Sequence, residues 1–334
     1  MIFGPGKLKI NRLASGGLIT NYNCPSRCAH CLYNSGPDRE TDYITEEKAG
    51  QCFEAIRSLG CRSVHVGGGE PFLNPEGLAS VLKAASSTGM GIDYGETNSA
   101  WYTEHDRAVN LLSRLRNLGL GTLLISISPF HNERIPLKKV KGVLAACRET
   151  SMGVFPWIAE FFSEVDAFDD AASHSLAEYE ARYGADYLKK IPSRYWVHFG
   201  GRAASTFARV FDLSPLDDVL SRSPGGCREL ADVSHFHVDL YGNYVPGLCS
   251  GLAIRLRDLG KGLSDSDYPL ITRLYAEGIS GLLRHARESH GFTSRDRYLN
   301  KCHLCLDIRK HLISTEADQY PELAPSGFYD HLKI

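Results

Sequence analysis

The sequence predicts an α/β fold in which a parallel sheet closes into all or part of a barrel, followed by a smaller module. Over the first two thirds of the chain, short apolar runs alternate with longer amphipathic runs, which is the rhythm of repeated βα units. The length of 334 residues also exceeds what one hydrophobic core usually organises, so we expect a second domain.

The predicted elements follow one another in βα order. Strands are predicted at residues 18–23, 63–67, 91–96, 122–128, 153–160 and 195–199. Helices between them are predicted at residues 45–59, 75–88, 104–118, 136–150 and 173–183. Thr45 and Thr103 precede acidic residues where helices would begin, and Gly60, Gly89 and Gly119 stand where helices would end. Functional groups of such a barrel lie on the loops that follow the strands.

After about residue 201 the pattern changes, and we expect a barrel domain at residues 1–205 and a smaller domain at residues 206–334. The smaller domain is predicted to contain a loop, a hairpin and a helix, at residues 221–226, 235–246 and 269–288.

Composition excludes several classes of protein. Lys and Arg total 37 against 39 Asp and Glu, and no basic stripe with interleaved aromatic residues is present, which argues against a nucleic-acid partner. The 43% hydrophobic and 23% charged content is ordinary for a globular chain. Because no long uninterrupted apolar segment occurs, we expect neither a membrane span nor a signal peptide, and we expect a cytoplasmic protein.

The first informative cysteines are Cys24, Cys28 and Cys31, directly after the first predicted strand. Three thiolates without a fourth nearby suit a 4Fe-4S cluster with one open iron, because structural zinc usually has four protein ligands. The alternative is a zinc loop completed by His30 or by a distant residue.

This CX3CX2C spacing, with His30 at a position that is usually aromatic, resembles the signature of radical S-adenosylmethionine (radical SAM) enzymes. Gly67, Gly68, Gly69 and Glu70 follow the second predicted strand and resemble the GGEP motif of that family, whose backbone and acid bind the methionyl amino group of SAM. Glycines let a backbone approach a ligand closely, and a carboxylate pairs with an ammonium group.

Further motifs occur in the family's order. Thr97 and Asn98 resemble its TNG segment near SAM, with Ser99 in place of the glycine. Ser126 and Ser128 resemble its S-x-D element, with Ser128 in place of the acid. The resemblance covers roughly residues 15–202. It implies a partial (β/α)6 TIM-like barrel, a 4Fe-4S cluster that cleaves SAM, and a 5'-deoxyadenosyl radical that removes hydrogen from a substrate.

A second group of cysteines comprises Cys227, Cys249, Cys302 and Cys305. With the hairpin that lies between the first two, it resembles the opening of a SPASM or twitch domain, and the count of four favours the shorter twitch form. This resemblance implies an auxiliary 4Fe-4S cluster, although four thiolates also satisfy zinc. Such a cluster would accept an electron from a substrate radical, relay electrons to the first cluster, or hold the module together.

Three more residues are candidates for substrate or cofactor chemistry. Glu160 and His198 are expected at strand ends facing the barrel mouth, where either could take a proton. The alternative is that Glu160 pairs with an arginine and His198 packs in the wall. Arg202 lies in a GGRAA segment that resembles an element of such barrels, and would contact SAM or a helix C-terminus.

Acidic residues follow the fifth predicted strand, and if they line the mouth they would favour a cationic substrate. They are Glu164, Asp166, Asp169 and Asp170. Cys52, Cys61 and Cys147 have no partner at chelating spacing and are expected to be buried.

The leading prediction is therefore a radical SAM enzyme of the oxidoreductase type. It would abstract hydrogen from a peptide or protein side chain, and a flavodoxin- or ferredoxin-type reductant would supply electrons. Only about 15 residues precede the barrel, too few for a fused peptide-recognition domain, so recognition would be direct or through a separate protein. The alternatives are a dehydrogenase or epimerase acting on a small alcohol or sugar, and a non-catalytic metal-binding or electron-carrier protein.

Overall fold

The computed structural model describes residues 6–155, 159–316 and 319–334. The strands are β1 Gly16–Ile19, β2 Ser63–Gly67, β3 Gly91–Thr97, β4 Thr122–Ile125, β5 Gly153–Phe155, β6 Ser214–Pro215, β7 Phe236–Asp239, β8 Asn243–Val245, β9 Ile254–Arg255 and β10 Arg297–Tyr298. The α-helices are α1 Glu46–Ser58, α2 Pro75–Thr88, α3 His105–Asn117, α4 Pro129–Asn132, α5 Leu137–Glu149, α6 Ala159–Asp166, α7 Leu176–Tyr183, α8 Tyr187–Arg194, α9 Gly201–Phe207, α10 Leu216–Ser221, α11 Pro269–His290, α12 Lys301–Glu316 and α13 Gly327–Asp330. Short 3-10 helices lie at Pro71–Leu73, Arg228–Ala231, Pro246–Leu248 and Leu256–Asp258.

Local capping signals set several helix bounds. The side chain of Thr45 accepts a hydrogen bond from the Lys48 amide at the start of α1. Asn74 caps α2 in the same way through the Gly77 amide, and α2 ends at Gly89, whose φ of 68° lies in the left-handed region. The helices that the sequence predicts at residues 45–59 and 75–88 therefore form close to their predicted bounds.

In the described part of the chain, one mixed sheet has the strand order β5-β4-β3-β2-β1-β7-β8-β9. Strands β1 to β5 run parallel, with helices as the crossovers, and β7 adds parallel to the other edge of β1. Strands β8 and β9 continue antiparallel from β7. The carboxyl ends of the parallel strands thus share one edge, where ligands of α/β proteins bind.

The two predicted domains share this sheet. The register of β1 with β7 pairs Gly17 with His237 and Ile19 with Asp239. Buried Tyr22 adds a link by donating a hydrogen bond to Asp239 at 2.9 Å. The predicted boundary at residue 205 therefore falls between elements that join one sheet.

Two strand predictions are wrong. Residues 195–199 form a loop between α8 and α9, and the place beside β1 is taken by β7. The predicted strand at residues 153–160 ends at Phe155 in the described residues, and α6 begins at Ala159. Residues 156–158 of that prediction lie outside the described residues. Within the described ranges, none of the helices has both the length and the apolar character needed to cross a membrane.

Candidate functional site

A cavity of about 400 Å³ opens at the carboxyl ends of the parallel strands. Cys24, Cys28 and Cys31 all line it, although the loop that carries them makes no regular secondary structure. Residues predicted for SAM binding that also line it are His30, Gly68, Gly69, Thr97, Asn98, Ser126 and Arg202. The fold therefore brings the three thiols and most of the predicted SAM contacts to one space.

The sulfur atoms of the first two cysteines make hydrogen bonds, and that of Cys24 accepts them. The amide of Ser26 and the side-chain amide of Asn98 contact Cys24 Sγ at 3.4 and 3.3 Å. Ser26 Oγ lies 3.1 Å from Cys28 Sγ. Hydrogen bonds to sulfur are among the contacts that tune an iron–sulfur cluster, so the surroundings suit thiolate ligands.

Burial keeps the thiols of Cys24 and Cys28 protonated when no metal is bound. Desolvation raises the pKa of Cys24 well above its usual range, with Cys28 adding to the rise. It raises the pKa of Cys28 to about 11, against the lowering effects of Ser26 and the Arg202 guanidinium. Loading a metal centre would therefore release protons. Three thiols in one cavity, with polar donors to sulfur, fit a three-thiolate cluster.

Arg202 holds the cysteine loop from helix α9. Its guanidinium donates to the carbonyl of Cys28 at 2.9 Å, to Asn34 Oδ1 at 2.7 Å, and to the carbonyl of Ser35. The preceding residue, Gly201, has a φ of 52°, and a Cβ there would overlap the carbonyl of Cys31. The GGRAA segment thus acts on the loop itself, whereas the sequence predicted a contact with SAM or with a helix terminus.

The glycine-rich turn after β2 packs directly against the chain leading into the cysteine loop. Gly68 has a φ of 147°, and a Cβ on Gly69 would overlap the carbonyl oxygen of Asn23. The amide of Gly69 donates to the carbonyl of Asn21 at 2.7 Å. Gly67 faces Glu96 and does not line the cavity. The turn therefore needs glycine for close backbone packing as well as for access to a ligand.

Glu70 does not face the cavity. Its side chain is fully buried and accepts hydrogen bonds from the Phe72 amide, Thr97 Oγ1 and the Asn98 amide, at 3.2, 2.9 and 2.7 Å. Desolvation raises the pKa of Glu70 to about 7, partly offset by these donors. In this structure Glu70 fastens the segment after β3 to the glycine turn, whereas the sequence predicted that it binds the amino group of SAM.

The two predicted serines have different surroundings. Ser126 lines the cavity, and its amide donates to the carbonyl of Thr97 at 2.9 Å. Ser128 is buried, caps α4 and lies 2.8 Å from His131 Nδ1. Ser128, expected near SAM, therefore acts on α4 and His131.

His30 stacks on Phe130 with ring centroids 4.6 Å apart. Its Nδ1 is a buried atom without a hydrogen-bond partner among the described residues. Desolvation lowers the pKa of His30 well below its usual value, so the ring is neutral. An apolar, neutral ring on the cavity wall is suited to contact an aromatic ligand group.

The four cysteines of the second group line one further cavity, of about 80 Å³. The hairpin carries Cys249 close to α12, which bears Cys302 and Cys305. Desolvation raises the pKa of Cys227 to about 12 and that of Cys302 to about 11, while Lys301 opposes both shifts. Four thiols and neighbouring cations fit a four-thiolate metal group.

No three of these four sulfur atoms all lie within 4.8 Å of one another. Among the described residues, three or more possible metal-ligand atoms lie within 4.8 Å of one another only in a group of histidines. Four thiolates around one zinc ion would lie about 3.8 Å apart, given Zn–S bonds of about 2.3 Å.

His198 lines both cavities. It is half-buried in the loop after α8, and its Nδ1 is buried without a hydrogen-bond partner in the part of the chain described. Desolvation, together with Arg309, lowers the pKa of His198. It is therefore a neutral ring between the two groups of cysteines, although it does not lie at the strand end that was predicted for it.

Glu160 does not line either cavity. It lies exposed in the first turn of α6, so its predicted place at a strand end is wrong. The neighbouring acids are engaged with protein groups: Glu164 pairs with Arg194 at 2.6 Å, and Asp166 and Asp170 pair with Lys141 at 2.6 and 2.8 Å. This removes the support for a cationic substrate.

The first cavity also has residues that the sequence analysis did not assign to the site. Glu96, His131 and Trp196 line it. Desolvation raises the pKa of Glu96 to about 7 and lowers that of His131 to about 4. Glu96 could have been found from strand alternation in β3, which places it on the same face as Tyr94. Cys52, Cys61 and Cys147 are buried, as predicted.

The parallel sheet, the edge cavity and its three cysteines are those of a cofactor-binding α/β domain. Residues 18–153 match the profile of the Radical SAM superfamily. This match covers less than half of the chain and indicates a radical SAM domain in that part. No curated protein sequence matches the chain.

Three solved structures are similar at low identity. Streptococcus suis SuiB bound to S-adenosylmethionine shares 12% identity over 72% of this chain and 61% of its own, with a TM-score of 0.35, so the chain spans less than two thirds of SuiB. Native anSMEcpe with bound AdoMet and Cp18Cys peptide shares 14% over 90% of this chain and 97% of its own, with a TM-score of 0.44. BtrN in complex with AdoMet and 2-DOIA shares 15% over 75% and 81%, with a TM-score of 0.41. At such TM-scores these similarities carry no argument about the substrate.

Proposed function

We propose that the protein is a radical SAM enzyme that abstracts a hydrogen atom from a peptide or protein side chain, assisted by an auxiliary 4Fe-4S cluster. The observation that carries this proposal is the adjacency of two cysteine-lined cavities, which His198 joins. In this proposal residues 1–205 form the catalytic partial barrel. Residues 206–334 form the twitch-like module, although they contribute β7 to the same sheet.

Cys24, Cys28 and Cys31 would hold the first cluster, and His30, Gly68, Gly69, Thr97, Asn98 and Ser126 would line the space for SAM. When bound, the cluster and SAM supply a radical able to remove hydrogen from an unactivated C–H bond. The chain's own contribution is to fix the cysteine loop through Arg202 and to shape the cavity wall. A shaped cavity matters because a reactive species must be kept from water.

Cys227, Cys249, Cys302 and Cys305 would hold the auxiliary cluster, which supplies a one-electron acceptor. Two observations favour a cubane over zinc. No three of the sulfur atoms all lie within 4.8 Å of one another, as zinc-bound thiolates would, and the cavity of about 80 Å³ exceeds the roughly 10–15 Å³ that one water needs. The space therefore suits a group of several atoms.

His198 is the residue best placed to accept a proton when a substrate radical is oxidised. It touches both cavities and is neutral, so its free nitrogen can accept a proton. Glu96 is the second candidate, because it lines the first cavity and its raised pKa is near neutral. Glu160 is not a candidate in this proposal, since it is exposed on α6.

A side-chain substrate fits the size of the first cavity. The volume of about 400 Å³ lies near the lower end of the roughly 300–1,000 Å³ of small-molecule sites. SAM would therefore fill most of the cavity, and the remaining space would suit a single side chain of the substrate. Trp196 lines the cavity and is 68% exposed, which places an indole at the opening. Exposed aromatic residues of this kind anchor peptides at interfaces.

The test is anaerobic reconstitution with iron and sulfide, followed by dithionite and SAM. We expect about eight irons per chain and formation of 5'-deoxyadenosine. Cys302→Ala/Cys305→Ala should retain about four irons and still form 5'-deoxyadenosine, whereas Cys28→Ala should abolish it. Cys147→Ala is the matched control, because this buried thiol lines neither cavity. Zinc at both sites without 5'-deoxyadenosine would leave the metal-binding or electron-carrier alternative.

The substrate class can be tested by isotope transfer. Peptides and a small-molecule filtrate are prepared separately from cells grown on deuterated nutrients, and each is incubated with the enzyme and unlabelled SAM. Deuterium in 5'-deoxyadenosine from the peptide fraction supports the proposal. Transfer from the filtrate alone would instead favour the small alcohol or sugar.

A further inference from the structure

A group of three histidines lies on one face of the sheet, and none of the three lines either cysteine cavity. His65 is on β2, His237 is on β7, and His235 lies two residues before His237, on the same face of the chain. One ring nitrogen from each can be chosen so that all three lie within 4.8 Å of one another. His65 Nε2 and His237 Nε2 are 3.1 Å apart.

The group exists because a glycine separates two of its members. Strand β1 runs between β2 and β7, and its Gly17 is in register with both His65 and His237. A Cβ at position 17 would overlap the His65 imidazole. Glycine on the middle strand therefore leaves the space in which the side chains of its two neighbours meet.

The two Nε2 atoms of this group share a hydrogen bond with each other, and one further ring nitrogen has no partner among the described residues. His65 and His237 are 2% and 6% exposed, and His237 Nδ1 is buried without a hydrogen-bond partner among the residues described. Burial lowers the pKa values of all three rings, so they are in the neutral form that binds metals. No carboxylate is needed to neutralise them, and the nearest, Glu96, has Oε1 at 3.8 Å from His65 Nε2.

We propose that His65, His235 and His237 form a binding site for one divalent transition-metal ion. Imidazoles are the ligands that zinc, copper, iron and nickel accept. Two ring nitrogens on a tetrahedral zinc ion lie roughly 3.3 Å apart, given Zn–N bonds of about 2.0 Å, so the pair at 3.1 Å would need only a small outward shift. Glu96 is close enough to provide a fourth ligand.

The surroundings also hold the rings in place. The ring of His65 lies between Tyr94 and His235, stacked on each with centroids 5.0 and 5.2 Å apart. The backbone of Gly16 makes a hydrogen bond with His65, a contact of the kind that orients metal-bound imidazoles. The bound ion would tie β2 to β7 across β1, and thus the barrel to the C-terminal module.

The test uses the cluster-reconstituted protein, so that cysteines are occupied, and Co²⁺ as the probe. We expect one Co²⁺ per chain after desalting, with visible ligand-field bands and without the near-ultraviolet thiolate-to-cobalt band that cysteine binding gives. His235 is partly exposed, so its removal should disturb the fold less than removal of the other two histidines. As a direct ligand it should matter more than an outer contact, and we expect His235→Ala to weaken Co²⁺ binding by at least about 100-fold. His237→Gln should do the same.

His105→Ala is the matched control, since His105 is an exposed histidine paired only with Glu149, at 2.8 Å, in the contacts described. Circular dichroism of each variant reports whether the fold is kept. Co²⁺ uptake with the thiolate band alone, or equal uptake by wild type and a folded His235→Ala variant, overturns the proposal. Because the optical bands separate imidazole from thiolate binding, this result does not depend on SAM cleavage.

Discussion

Arg202 offers a sharp test of how the first cysteine loop is held. Its guanidinium donates to three acceptors of that loop, on Cys28, Asn34 and Ser35. A hydrogen bond from a charged group contributes about 1.5–3 kcal/mol, and truncation to alanine leaves all three acceptors to find water. Because such contributions are not fully additive, we expect Arg202→Ala to lower the free energy of unfolding by about 3–5 kcal/mol. Arg202→Lys keeps the charge but loses the fork, so about half of this loss is expected.

The assay is urea unfolding of the reduced, metal-free chain, together with iron retained by the reconstituted protein after a chelator is added. Arg202→Ala should lose iron from the first site before the second. Arg209→Ala is the matched control, because Arg209 is exposed near the end of the same helix and, in the contacts described, donates only to Ser205. This variant should change the free energy of unfolding by no more than about 0.5 kcal/mol. A loss below about 1 kcal/mol for Arg202→Ala, with unchanged iron retention, would refute the role of this fork.

Three further predictions follow from the site. The pKa of Glu70 in the folded chain, about 7, lies above its ordinary value of 4.5. The contribution of this carboxyl group to stability is therefore complete below about pH 4.5 and is lost, by about 3 kcal/mol, as the pH rises through 7. Glu70→Gln should flatten this pH dependence of the free energy of unfolding in urea, and an unchanged pH dependence contradicts the burial argument. Gly69→Ala should destabilise the chain by about 2 kcal/mol and weaken SAM binding in equilibrium dialysis, because the new Cβ would overlap the Asn23 carbonyl. Gly121→Ala is the control, because a Cβ at position 121 meets open space, and this variant should remain near wild type. Trp196→Ala should change stability by less than about 0.5 kcal/mol but raise the KM of the substrate, measured as product formed; an unchanged KM argues against an anchor at the opening.

Local signals explain what the sequence predicted well. Strand β2 and helix α2 have their predicted bounds, since Asn74 and Gly89 mark the helix through contacts within a few residues. The grouping of Cys24, Cys28 and Cys31 also follows from a motif whose spacing is local, whereas the second group of cysteines was expected from a resemblance. The two groups each line one cavity.

Non-local contacts explain the failures. Residues 195–199 are rich in aromatic and β-branched residues, yet β7 takes the place beside β1, and no short stretch of sequence reports which strand pairs with which. The direction of a side chain is equally hidden. Glu70 faces inward to three donors, and Ser128 faces α4. The histidine group was missed because His65 and His237 meet only through that same pairing.

The place of β7 has a consequence for synthesis of the chain. Strand β1 leaves the ribosome before β2, which can then pair with one of its edges. Its other edge stays open until β7 has been translated, well over half the chain later. An open edge of a nascent sheet is a template for wrong pairing with other chains. During that interval the free edge of β1 is open to pairing with other chains, so the arrival of β7 also removes an aggregation-prone edge.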